Sequence, residues 1–280
     1  MPGIGFGNAV SRRAAALAFV CAAVLPAPAA EAAAVPDFSG YWVRPEAGNG
    51  RIFYPVTEGG PAPIVNTDTT AEFMIGDYTN PILLPHAAEA VKAHGDQGRA
   101  GIVEYPPWSL CWPTGVPLAV NMAEPVQVLQ TPDKVTIIYQ RGMQVRQIHL
   151  NVPHAGNSQP SWYGDAVGHY EGNDTLVVDI VAQDTRSVVD RFGTPKSPAL
   201  RVVERYRIAP DRERLEITFA IEDPQTFTTP WSAKIAYVPV AQRGDNGRDR
   251  ERIDEVVCAE NNRDAAGGLF PIPVDMTPDF

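Results

Sequence analysis

The chain has 280 residues, 44% of them hydrophobic and 20% charged, enough apolar material for a sizeable core and a composition unlike disordered or collagen-like chains. Its 33 acidic and 23 basic side chains give a net charge of −10, which argues against nucleic acid or anionic lipid as a partner. With 27 Pro and 23 Gly, the chain is punctuated too often for long helices and suits short strands joined by turns.

Residues 1–34 read as an export signal. Arg12 and Arg13 form a basic start, Ala14 to Leu25 is an apolar run too short to span a bilayer, and small residues follow at Ala27–Ala29 and Ala32–Ala34. The expectation is an exported, periplasmic or secreted protein with no integral membrane segment after signal removal. Residues 35–280 are then expected as one domain. Loss of Cys21 with the signal leaves Cys111 and Cys258, an even pair in an oxidising compartment, for which a disulfide is the default expectation. No spacing of Cys, His or acidic residues matches a metal motif, and no phosphate loop, dinucleotide fingerprint or Gly-x-Ser-x-Gly elbow occurs. Neither metal nor organic cofactor is expected.

Residues 35–117 form an irregular, Pro/Gly-rich stretch with a first strand at Phe38 to Trp42. One helix is predicted over Pro85 to His94, opened by its proline and stopped by Gly95. From Pro125 the pattern becomes strand, turn, strand: Val126 to Leu129, Val135 to Tyr139, Met143 to Leu150, Thr175 to Ile180, Ala199 to Arg207, Leu215 to Ile221 and Ala233 to Val240, with a last short strand at Ile253 to Val257. Arg243 to Arg252 reads as a solvated charged loop. The fold class is all-β: an antiparallel barrel of about eight strands, preceded by one short helix.

Strand alternation places Met143, Val145, Gln147 and His149 on one face and Gln144, Arg146, Ile148 and Leu150 on the other. An inward Arg146 needs a carboxylate or a ligand; an outward one needs only water. The densest group of titratable residues lies in Pro160 to Asp179, where Asp165, His169, Glu171 and Asp174 stand among Gly164, Gly168 and Gly172. In strand geometry Asp165 and His169 share one side, so the carboxylate could orient the imidazole for proton transfer; the alternative is a turn histidine beside capping aspartates.

The run GDAVGHYEGNDTLVVD, together with Arg146-Gln147-Ile148, Cys111-Trp112-Pro113-Thr114-Gly115-Val116-Pro117, VVERYRI and IEDPQTFTTPW, resembles a family of exported bacterial proteins with a Gly-His-Trp-Glu-Gly-Asp-Thr-Leu-Val-Val-Asp signature. The resemblance covers roughly residues 80–262. Gly168, His169, Glu171, Gly172 and Asp174 to Asp179 match it, Tyr170 replaces the tryptophan, and Asn173 is additional. His154 fits the position of a His-Pro pair, without the aspartate that usually precedes it. The resemblance implies a calycin-like (lipocalin-like) barrel with cysteines at Cys111 and Cys258, and it implies no settled activity.

Two functions are expected from this reading. The first is a cofactor-free enzyme, a lyase, hydratase, isomerase or hydrolase, acting by acid/base chemistry on a small hydrophobic, aromatic or polycyclic molecule. His169 would be the acid or base and Asp165 its orienter, with Arg146, His149 and Tyr170 steadying negative charge. The second is a non-catalytic binding or carrier protein for such a molecule. Trp112, Trp162, Trp231 and Glu171 are the candidate substrate contacts, with Trp42 and Trp108 as further candidate lining. The oligomeric state is not legible.

Overall fold

The computed structural model describes residues 35–45, 53–56, 75–100, 111–242 and 253–256, together with 2, 3 and 5. The chain divides into units 1–32 and 33–280, and the fold is that of the second. The signal region (apart from residues 2, 3 and 5), Trp108, the charged run Arg243 to Arg252, and Cys258 lie outside the described residues. Among the described residues no helix is long and apolar enough to cross a membrane.

The protein is mostly β. Its strands are β1 (Gly40–Val43), β2 (Tyr54–Pro55), β3 (Val126–Gln130), β4 (Lys134–Tyr139), β5 (Gln144–Leu150), β6 (Asp165–Glu171), β7 (Thr175–Val181), β8 (Arg201–Ile208), β9 (Leu215–Glu222) and β10 (Trp231–Pro239). β1 and β3 to β10 pair in ring order, and β10 returns to β1 through Trp42↔Pro239 and Val43↔Val238, closing a nine-strand barrel. β2 adds to β10 outside the ring. The period-two pattern explains the wall: Val135, Ile137 and Tyr139 of β4, and Leu215, Ile217, Phe219 and Ile221 of β9, turn into one contiguous core.

Three details depart from the all-antiparallel expectation of about eight strands. Asp165–Glu171, absent from the strands counted in the sequence although its alternation reads in strand geometry, is a full strand, and Ile253 to Val256 carries no strand. β6 also pairs with β5 in parallel, through His149↔Val167 and Leu150↔Gly168, so the barrel is mixed. The cause is the connection 151–164, which carries the chain back along the barrel before β6 begins. Asn151 donates to the Gly168 carbonyl at 2.8 Å, and Ser161 donates to Ala182 at 3.1 Å. Gly168 itself faces inward, where a Cβ would come within 3.0 Å of both Ile148 Cγ2 and the Val177 carbonyl.

The helix α1 (Pro85–Arg99) starts at its proline but runs through Gly95 instead of stopping there. Gly95 lies against Ile75, and Asp96 holds both Lys92 and Arg99 in the final turns, so tertiary contact and charge pairing extend the helix. It is attached to the β9–β10 connection through the Leu83↔Phe227 bridge and the bond from Leu84 N to the Thr226 carbonyl, 2.9 Å.

Arg146 points into the barrel and is fully buried, as is Glu204 of β8. Arg146 Nη2 donates to Glu204 Oε2 at 2.7 Å and Nη1 to Oε1 at 3.2 Å, while the Tyr206 hydroxyl donates to Oε2 at 3.1 Å. The arginine's inward requirement is met by a carboxylate. Replacing Arg146 by Met should destabilise the protein by roughly 3–5 kcal/mol, because Glu204 is left buried and unpaired. The double replacement Arg146→Met/Glu204→Leu should recover much of that loss in urea unfolding. A double variant as unstable as the sum of the single ones would show that the ions do not compensate each other.

Candidate functional site

The proposed pair of Asp165 and His169 does not form. Both belong to the outer face of β6, but His169 meets Glu171 at 3.3 Å, with its side chain 54% exposed, whereas Asp165 meets His154 at 3.3 Å. The reason is lateral competition on the wall: Glu171 is also held by Arg205, and Asp165 is taken by the returning connection. Asp165 Oδ2 accepts from Ala155 N at 2.8 Å and from Ser158 Oγ at 2.5 Å. Burial pushes the Asp165 carboxyl up, but Ser158, the Ala155 amide and His154 together hold it below the usual carboxylate range. The second nitrogen of His154 lies 3.6 Å from Asp179, which Arg201 grips at 2.9 and 2.6 Å. This His154 cluster fastens the 151–164 crossover to the barrel wall.

The other sequence candidates scatter. His149 stands exposed on the outer face of β5, opposite Lys134. Tyr170 is half-buried, accepts from Gln130 Nε2 at 2.8 Å and stacks on Phe38, so it secures the N-terminal segment. Trp231 is core, edge-on to Phe53 and Phe227, and Trp42 is buried in the wall with its indole N–H donating to Phe38 O at 2.9 Å. Cys111 is exposed. Apart from His169 with Glu171 on the outer wall, the candidates that come together among the described residues are Trp112 and Trp162, half-buried with ring centres 5.6 Å apart.

That meeting occurs at the end of the barrel where β6 starts and β7 finishes, beneath the connection 182–200. Arg186 lies over both indoles, 4.4 Å from the Trp162 ring centre and 5.5 Å from that of Trp112. Asp184 holds its guanidinium in place through Nε and Nη2, at 3.0 and 2.6 Å, and the carboxyl is drawn below its usual range mainly by that bond.

Behind this surface lies Lys196, whose side chain is almost fully buried. Its Nζ bonds two neutral oxygens, Ser187 Oγ at 2.8 Å and Gln183 Oε1 at 3.2 Å, with both partner residues buried. Among the described residues no carboxylate lies within ion-pair distance of this ammonium. Burial pulls its pKa down to about 7, against a smaller opposing effect from Asp184. Gly115 closes over the group in a left-handed conformation (φ +66°), where a Cβ would stand 2.9 Å from Lys196 Nζ and 2.5 Å from the Trp162 carbonyl.

The surrounding cap is unusually polar for a buried region. Asp190 accepts from Phe192 N at 2.9 Å and Thr194 Oγ1 at 2.8 Å, and its burial pushes the carboxyl pKa up. Asp223 accepts from Ser197 N at 2.8 Å and Ser197 Oγ at 2.5 Å, tying the lysine's segment to β9. Tyr163 is linked to Gln144, which also accepts from Thr114 N at 3.2 Å, and its ring stacks on Tyr139 next to the buried ion pair. Sequence reading missed Gln183, Asp184, Arg186, Ser187 and Lys196 because they lie in a connection without periodicity. A lysine set among Thr194, Pro195, Ser197 and Pro198 is the one signal that could have drawn attention there. Among the described residues no cluster of three or more His, Cys, Asp or Glu could hold a metal ion.

No family model matches this chain, and no curated protein matches it either.

The lysine has a measurable consequence for folding. An unfolded lysine titrates near 10.5 and the buried one at about 7, so between these values the unfolded chain binds more protons. Wild-type stability relative to Lys196→Met should therefore rise with pH across that window, by up to about 1.4 kcal/mol per pH unit. Urea unfolding of both proteins from pH 6.5 to 10 checks this; a constant difference would mean that Lys196 stays charged in the fold.

Proposed function

We propose that the protein is an exported, cofactor-free enzyme that acts by acid/base chemistry on a small hydrophobic, flat molecule, and that its working site is the capped barrel end. The carrying observation is Lys196, buried against neutral oxygens beside a pair of tryptophans. A lysine held near neutrality can accept and return a proton at physiological pH, which an exposed lysine does poorly. Trp112 and Trp162 supply an apolar face for an aromatic or polycyclic ring, and Arg186 adds a cation at its edge. The base sits at 196, not at His169, which lies on the outer wall in water.

The carrier reading is favoured by the same indole pair taken without the lysine. The two readings part in one experiment: the mature protein is incubated with a panel of hydrophobic aromatic and polycyclic compounds, and the mixtures are analysed for product by mass. The enzyme reading expects product from wild type and a fall of about 10² to 10⁴ in rate for Lys196→Met, with tryptophan quenching retained. Saturable quenching with no product from any compound would leave the carrier.

Export also sets the expected state of the cysteines, with Cys111 pairing with Cys258 once the signal is gone. Non-reducing peptide mapping of the secreted protein should find that crosslink, and two alkylatable thiols would rule it out.

A further inference from the structure

We propose that Ser187 is the nucleophile of a serine–lysine pair with Lys196, and that the reaction at this end of the barrel is hydrolysis of an ester or amide carrying a flat hydrophobic group. The inference deepens the acid/base reading of Lys196 and rests on it. The Ser187 hydroxyl lies 2.8 Å from the Lys196 nitrogen, within range of direct proton transfer. The same nitrogen is steadied by Gln183 Oε1 at 3.2 Å, so a third group orients the base as activated nucleophiles require.

A further observation points to a ligand. Gln183 is 2% exposed and, among the described residues, its Nε2 has no hydrogen-bond partner, although its Oε1 is engaged by the lysine. A buried amide donor with nothing to donate to is costly and calls for an acceptor. It belongs to the same amide as the oxygen that orients Lys196, whose nitrogen is hydrogen-bonded to Ser187 Oγ. The oxyanion of an acyl transfer would supply that acceptor.

Ser187 is buried at rest, so the cover over it must move for a substrate to enter, and Arg186 is the exposed member of that cover. It precedes the serine, covers both indoles and is 57% exposed, held by the surface carboxylate of Asp184. An ion pair this open to water contributes little, so a planar hydrophobic substrate could take the place of the guanidinium on the indoles.

The chemistry balances with water as the only co-reactant. The neutral Lys196 amine takes the hydroxyl proton as Ser187 Oγ bonds to the acyl carbon, and the carbonyl electron pair moves onto oxygen, facing Gln183 Nε2–H. Collapse of this intermediate restores the carbonyl and breaks the bond to the leaving alcohol or amine, which departs with the proton from Lys196. Water then attacks the acyl-Ser187 ester with Lys196 again as base. The released carboxylic acid leaves, and the proton returns to Ser187.

The test is covalent labelling of the mature protein by alkyl and aryl fluorophosphonates of increasing hydrophobicity, read by intact mass and peptide mapping. The expected result is a single phosphonyl adduct on Ser187 of wild type, absent in Ser187→Ala and slowed about 100-fold or more in Lys196→Met. The wild-type map needs no variant, and Ser187→Cys, alkylated by iodoacetamide, provides a second handle should Ser187→Ala fold poorly. No adduct at Ser187 with any probe, or labelling indifferent to Lys196, overturns the proposal. Product from the compound panel that needs Lys196 but survives Ser187→Ala would remove the nucleophile and leave the acid/base reading standing. No product from any compound would remove that reading too.

Discussion

The barrel is organised around one charge pair that spans its interior. Arg146 on β5 and Glu204 on β8 belong to strands separated by β6 and β7 in the ring, yet they meet at 2.7 Å with neither reaching solvent. Ions this deep survive only where geometry and further hydrogen bonds offset their lost hydration, and here the Tyr206 hydroxyl supplies one of those bonds. The surrounding phenols respond to the same burial: Tyr139 is pushed up to about 12 and Tyr206 well above the ordinary phenol range, so both remain neutral. A slip of one residue in β5 or β8 would turn a charge outward and strand its partner, so the pair also penalises wrong registers.

That arrangement gives the barrel regions of different character. With Arg146, Glu204, Tyr139, Tyr206 and the aliphatic residues of the wall turned inward, the middle of the barrel is side-chain core. The outer wall is laced with ion pairs, Arg205 to Glu171, Arg207 to Asp174 and Arg201 to Asp179, that satisfy one another in water. The capped end is different. There, among the described residues, a buried lysine has no carboxylate within ion-pair distance, an amide donor is unmet, and two half-buried indoles meet. Stability alone gives no reason to bury Lys196 in this way, and such local cost is what functional sites commonly carry.

His169 and Asp165 show why the site was harder to read than the fold. Their shared strand face was correctly given by alternation, but alternation does not say which face is inside, nor what lies alongside. The face proved to be the outer one, and residues 151–164, distant in pattern from β6, claimed Asp165 through His154 and Ser158. Arg146 was legible as a residue needing a carboxylate if inward; that the carboxylate is Glu204 depends on ring closure. Lys196 and Ser187 sit nine positions apart in an irregular connection, and no periodicity relates them.

The sequence by itself determined the local elements: the β-rich character, most strands to within a residue or two, the proline start of α1, and the turns between β3, β4 and β5. These follow from short-range rules, in which side chains alternate with period two and Gly and Pro restrict the backbone where they stand. Tertiary structure decided everything that depends on contacts between distant segments. It made β5 and β6 parallel, carried α1 through Gly95, turned His169 to water and gathered Trp112, Trp162, Ser187 and Lys196 at one end. Burial is the physical reason, because a lysine's proton affinity, an arginine's need for a partner and a glycine's tolerance inside a helix are set by what surrounds them after the chain has closed on itself.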